Sequence, residues 1–257
     1  ETQLPDKALG FRIQEYGMLR FRDLFSTRQL VALTTFSDLV QEARNKAITD
    51  AKTAGMTDDG KGIDAGSKGA TAYGDAVAVY LSAALGKASD YNSALCSWII
   101  GGQTMRNTFG RQALPMVWDY AEANIIGNKT GCFLSGIDQV CRALNRFTPA
   151  THGTALQQDA ATQNISIDKV ISTDPPYYDN IGYADLSDYF YMWLRRSLKI
   201  VFPRLFSTIS VPKSEELVAT PFRHGDKKNA EIFFLDGMTL AMKNMADKGH
   251  PAFPVTI

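Results

Sequence analysis

The sequence predicts an α/β protein in which a mainly helical segment, about 1–145, precedes a region of alternating strands and helices, about 146–257. Three observations lead there. Apolar residues recur at helical spacing through most of the first part. After residue 150 or so the pattern becomes strand, turn, helix, helix, strand, the alternation that builds a parallel sheet. The run Lys169-Val170-Ile171 ends abruptly in a turn carrying two prolines, Pro175 and Pro176, as a strand leaving a sheet would.

Each element has its own signal. Ser26 is a good N-cap. Leu30, Leu33, Phe36, Leu39, Val40, Ala43 and Ala47 then mark one face of a long helix reaching about Thr53. The stretch 58–69 is rich in glycine and aspartate and reads as a loop. It lacks the GxxxxGK[ST] order of a phosphate cradle, and no strand precedes it. Alanine-rich 70–95 predicts a helix. Ile137, Val140, Cys141 and Leu144 predict another over 133–144. Thr154–Asp159 reads as a strand ending in an acid, and Lys169–Thr173 as a second strand. Helices follow at 185–198 and 230–248, the latter stopped by Gly249 and Pro251. Pro254–Ile257 opens a further strand. The aromatic stripe from Tyr189 to Trp193 is read as core. No repeat of 20–50 residues appears.

Composition narrows the class. The 257 residues are 45% hydrophobic and 21% charged, ordinary for a globular protein. No apolar run approaches the roughly 20 residues of a membrane span, and no basic-then-apolar leader stands at the start. Net charge is zero, which argues against a nucleic-acid coat but leaves room for local basic patches. From Arg195 to Lys228, eight bases face three acids, an excess of about five, enough to track phosphates. The three cysteines, Cys96, Cys132 and Cys141, form no CxxC pair, so reduced thiols in a cytoplasmic protein are expected, and no metal site. His152, His224 and His250 are dispersed without a nucleophile partner. The start at Glu1 without Met, and the strand-like end at Ile257, lead us to expect part of a longer protein.

The chemistry concentrates in Asp174-Pro175-Pro176-Tyr177. Two prolines fix φ and remove two backbone donors, leaving a stiff row of acceptors: the Asp174 carboxylate and the carbonyls of the turn. Tyr177 offers an aromatic face beside them. Such a loop suits an amino group on a planar ring. The adenine amino nitrogen is a poor nucleophile because its lone pair is conjugated. Acceptors holding both amino hydrogens favour a tetrahedral nitrogen with the lone pair freed, with no metal and no covalent intermediate. Tyr177 would stack on a base extruded from the duplex. Tyr178, Asn180 and Tyr183 continue the loop as candidate substrate contacts.

Asp-Pro-Pro-Tyr resembles the motif of amino-methylating DNA methyltransferases, in the form typical of adenine-N6 enzymes. The stretches 174–196, 107–122, 23–39 and 217–257 resemble a family of large adenine-specific DNA methylases, and the similarity covers most of the chain. That resemblance implies a partial Rossmann-like methyltransferase sheet, S-adenosylmethionine as cofactor, DNA as partner, and Asp174, Pro175, Pro176 and Tyr177 as the catalytic set. It also implies that Asp159, at the end of the preceding strand, contacts the adenine of the cofactor. The chain departs from the pattern in one respect. The cofactor loop of the form Phe-x-Gly-x-Gly is not well formed, and 124–134, with Gly127 and Gly131, is only a faint counterpart. The loop is expected upstream of Glu1, which would leave this chain inactive alone. The zinc-ribbon cysteine pairs of the family are absent. Other readings stay open: methylation of RNA or of another planar amino group, and a non-catalytic DNA-binding or scaffold component. Asparagine at the position of Asp174 marks protein-amide enzymes and serine marks cytosine-N4 enzymes, so the aspartate favours adenine.

Overall fold

The computed structural model describes residues 2–147 and 153–257; His152, one of the dispersed histidines, lies outside them. The chain mixes helix and sheet. It forms two compact units, one from 1–148 with 184–211, the other from 149–183 with 212–257.

The first unit is built on helices. Helix α1 (Thr27–Thr53) starts where the sequence places it. The Ser26 hydroxyl accepts from the Gln29 amide, and the Gln29 side chain answers the Ser26 amide, a reciprocal cap. Helix α2 (Ala70–Asp90) packs along α1 and ends five residues before Leu95, in a turn at Tyr91. Gly74 makes this packing close. A Cβ there would stand 2.9 Å from the Arg44 carbonyl oxygen and closer still to Ile48. The Arg44 Nε–Asp75 Oδ1 ion pair, 2.6 Å, locks the two helices, and Asp75 also accepts from the Ile63 amide.

A short antiparallel hairpin, β1 (Ser97–Ile99) with β2 (Thr104–Arg106), follows in a region expected to be mainly helical. Helix α3 (Phe133–Arg146) packs on α2, with Gly136 against the Ala84 backbone. Helix α4 (Tyr183–Leu198), read from sequence with the sheet region, instead supplies the core of this unit. Tyr189 is fully buried, as expected of the aromatic stripe. Its ring packs against Phe25 and Phe109, and its hydroxyl donates to the Ser89 carbonyl at 2.7 Å. Burial pushes its pKa well above the ordinary value.

The second unit holds helix α5 (Pro221–His224) and helix α6 (Lys227–Lys248). Asp226 caps α6 by accepting from the Asn229 amide at 2.8 Å. The two expected strands at 169–173 and 254–257 meet in a single parallel bridge, Ser172 with Thr256, while Lys169 bridges Gly249 at the end of α6, and neither bridge lengthens into a ladder. The strand expected at Thr154–Asp159 does not form: these residues are exposed and no bridge reaches them. Among the described residues, the backbone of this stretch makes hydrogen bonds only at Asp159, whose carbonyl accepts from Thr162 and Gln163 in a turn.

Candidate functional site

The Asp174 loop hangs between two fixed points, both in the second unit. Before it, the Thr173 amide donates to the Thr256 carbonyl at 2.9 Å, and the Thr256 amide donates to Ile171 at 3.1 Å. After it, the Tyr178 carbonyl accepts from the Ala219 amide at 2.8 Å. Tyr178 is anchored a second time by its hydroxyl, which donates to Glu231 Oε1 on α6 at 2.9 Å, and a third time by its ring, edge-on to Phe234. The hydrogen bond to Glu231 raises the Tyr178 pKa above the usual tyrosine value. The segment bearing Ala219 is itself held on α6, because Leu217 fills the space over Gly237, where a Cβ would collide with it.

Between these anchors, Asp174, Pro175, Pro176 and Tyr177 make no hydrogen bond or ion pair to any described residue. Asp174 is exposed, and Tyr177 is 53% exposed. The loop is therefore held at both ends and open in the middle. Its carboxylate and proline carbonyls are unclaimed acceptors, and its aromatic face is bare. Asn180 is exposed on the same loop, and Tyr183, partly exposed, opens α4. Tyr178, expected to contact substrate, is instead tied back to α6 and works as the strut of the loop.

Asp159 stands in a turn rather than at a strand end. Its Oδ1 accepts from the Ala161 amide at 2.9 Å and its Oδ2 from the Thr162 hydroxyl at 3.1 Å, so both oxygens serve the turn. It borders a shallow hollow with Gln158, Thr162 and Asn164. The turn is pinned by Asn244 of α6, whose side-chain amide donates to the Ala160 and Gln163 carbonyls. The faint glycine loop at 124–134 belongs to the first unit, where the Gly131 carbonyl accepts from Asn92 and Cys132 caps α3. In the second unit no closely spaced glycine pair accompanies Asp159.

The basic stretch 195–228 is divided between the units, and much of it is engaged. Arg196 pairs with Asp38 at 2.7 Å, Arg195 donates to the Thr208 carbonyl, and Arg223 pairs with Glu216 at 2.7 Å with both side chains largely covered. Cys96 and Cys132 are buried and Cys141 is exposed. Among the described residues no three metal-ligating side chains gather, and no helix is long and apolar enough to cross a membrane. No family model matches the chain, and neither a curated protein nor a solved structure matches it.

Sequence reasoning found the loop and missed its supports. Glu231 and Ala219 lie 53 and 41 residues from their partner Tyr178, and Thr256 lies 83 residues from its partner Thr173, and no local pattern announces such contacts.

Proposed function

We propose that this chain supplies the amino-group clamp of an S-adenosylmethionine-dependent methyltransferase acting on the N6 position of adenine in DNA, within a Rossmann-like sheet of which the parallel bridges at 169–173 are one edge. The observation that carries this reading is the Asp174–Tyr177 run, fixed by backbone pairing at Thr173 and Tyr178 yet with every acceptor unclaimed. A loop kept rigid and unsatisfied is preorganised: its acceptors need not abandon other partners when an amino group arrives.

In the clamp, the Asp174 carboxylate accepts one amino hydrogen and a proline carbonyl accepts the other. Both contacts strengthen as the nitrogen turns tetrahedral and positive charge grows on it. Tyr177 holds the ring by stacking, a contact worth about 1–3 kcal/mol per base. Asp159 spends both of its carboxylate oxygens on its own turn.

The test is methyl transfer to adenine-containing DNA by the protein in its complete form, comparing Asp174 with Asp174→Ala and Asp174→Asn. Asp174→Ala should lose activity by two orders of magnitude or more, because removing one preorganised partner of the reacting centre costs about 3–4 kcal/mol. The circular dichroism spectrum should stay unchanged, since the side chain is exposed. Activity near that of the unsubstituted protein would refute the clamp.

A further inference from the structure

In the first unit a hollow of about 90 Å³ lies between the β1–β2 hairpin and the turn that follows it, with Arg106, Gly110, Arg111, Pro115 and Val117 among its walls. Sites for drug-sized ligands run to roughly 300–1,000 Å³, so this one takes a small group. No acid lines it. Arg106 and Arg111 are exposed, and their side chains make no hydrogen bond or ion pair to any described residue. Each guanidinium therefore keeps its planar fork of five donors. The Gly110 and Arg111 amides likewise donate to no described residue.

The walls are stiff. The Arg106 stem lies against Gly110, where a Cβ would stand 3.0 Å from its Cγ and Cδ. The missing side chain at 110 is what lets the arginine lie flat on the turn. Beneath it, Asp90 accepts from the Asn107 side chain through one oxygen at 2.7 Å and from the Phe109 amide through the other at 3.1 Å. The Thr108 hydroxyl donates to the Asp90 carbonyl at 2.8 Å. Asp90 is buried and both of its oxygens serve the turn, so the arginines stay unneutralised.

An aromatic ring stands beside the hollow. Val117 of the wall is followed by Trp118, which is 75% exposed. Trp118 is braced by Tyr16 at 5.1 Å, with the ring planes 83° apart. The turn Ile13–Tyr16 is joined to this surface through Arg12, whose amide donates to the Leu114 carbonyl at 3.2 Å. The Arg12 side chain is exposed and also has no described partner. The exposed acids of these segments, Glu15 and Asp119, do not line the hollow.

We propose that this hollow holds a backbone phosphate of a single-stranded nucleic acid, with a neighbouring base stacked on Trp118. The size admits one oxyanion, and the free guanidinium groups and amides supply its donors. The bare, braced indole selects a ligand that carries flat rings as well as phosphates. Cationic donors beside a stacking platform are the means by which proteins hold single strands. The inference uses residues of the first unit alone and needs no methyl transfer, so its failure would leave the Asp174 clamp untouched.

Fluorescence anisotropy of a labelled oligodeoxythymidine, titrated with the whole chain at low salt, tests it. Arg106→Ala and Arg111→Ala, each with an unchanged circular dichroism spectrum, should weaken binding about tenfold or more, the range of a charge-assisted hydrogen bond. Gly110→Ala, which displaces the Arg106 stem, should weaken it in the same direction. Trp118→Ala should cost about fivefold or more, the loss of one stacked base. Removing both arginines should lower the slope of log affinity against log salt by about 0.7, the value for one phosphate on a single strand. Arg142→Ala, at an exposed arginine of α3, should leave affinity within about twofold of the unsubstituted chain, because Arg142 lies outside the hollow. Tighter binding of oligouridine than of oligodeoxythymidine would identify RNA as the strand, and the reverse DNA; either supports the site. Unchanged affinity in the arginine variants, an equal loss in Arg142→Ala, or a phosphoserine peptide that binds through both arginines with no loss in Trp118→Ala would overturn it.

Discussion

Two glycines of α2 make opposite predictions for the same substitution. Gly→Ala inside a helix gains up to about 1 kcal/mol, from reduced backbone entropy in the unfolded chain and better helix propensity. At Gly86 the added methyl would meet nothing nearer than Phe190 Cδ1 at 4.0 Å, an ordinary contact. Gly86→Ala should therefore stabilise by about 0.5–1 kcal/mol. At Gly74 the methyl would press on the Arg44 carbonyl at 2.9 Å as well as on Ile48. Ile48 has rotamers to spare, but the carbonyl belongs to α1 and moves only with the helix. Overpacking of this kind costs about 1–3 kcal/mol, which outweighs the propensity gain. Separating the helices would also stretch the 2.6 Å Arg44–Asp75 pair, whose side chains are mostly covered. The net expectation for Gly74→Ala is a loss of about 1–2 kcal/mol or more. At about 2–4 °C per kcal/mol for a domain of this size, the melting temperature should fall by several degrees for Gly74→Ala and rise by about 1–4 °C for Gly86→Ala. Thermal unfolding followed by circular dichroism measures both. Shifts of the same sign would refute the account of how α1 and α2 meet.

Further outcomes follow from single groups. Asp58 accepts from Lys52 and from the Thr71 amide and hydroxyl, and the Lys52 contact holds its pKa far below the ordinary carboxylate range. A depressed folded-state pKa gives stability that is present above the unfolded value, near 4, and is lost as pH falls through the range below it; Asp58→Asn should flatten the acid limb of a stability–pH curve measured by urea unfolding. Glu231→Gln should lower the Tyr178 phenol pKa toward that of a free tyrosine, read by ultraviolet titration against a Tyr178→Phe control; an unchanged titration would mean that the strut is absent in solution. Asp90 holds the turn at 107–109 by accepting from the Asn107 side chain at 2.7 Å and the Phe109 amide at 3.1 Å. Asp90→Ala should destabilise by about 2–3 kcal/mol in urea unfolding, and a change under 0.5 kcal/mol would contradict that role.

Local signals in the sequence were read well where the physics is local. The reciprocal cap at Ser26 and Gln29 requires only four residues, and α1 begins there. Helix α6 ends at Lys248, just before the Gly249 and Pro251 stop signals. The hairpin β1–β2 was also within reach, since Gly101-Gly102 separates two short runs, but each strand has only three residues and the alanine-rich surroundings point to helix. The strand at 154–159 failed for a non-local reason: pairing needs a partner backbone, and a short local run does not say whether one exists. At the candidate site, Asp174 and Tyr177 stand exposed on the loop that the sequence singles out. The distant anchors of Tyr178 and the commitment of Asp159 to its own turn depend on how remote segments pack, which spacing does not encode.

The clamp can be tested without a methyl donor. With a fluorinated tyrosine at position 177, fluorine NMR should detect adenosine binding at the loop. N6,N6-dimethyladenosine, which keeps the ring but has no amino hydrogen, should bind about tenfold or more weakly there, the loss expected from two acceptors left unpaired. Equal shifts and equal affinities for the two nucleosides would show that the loop grips the ring alone and that the acceptors of Asp174 and its prolines play no part.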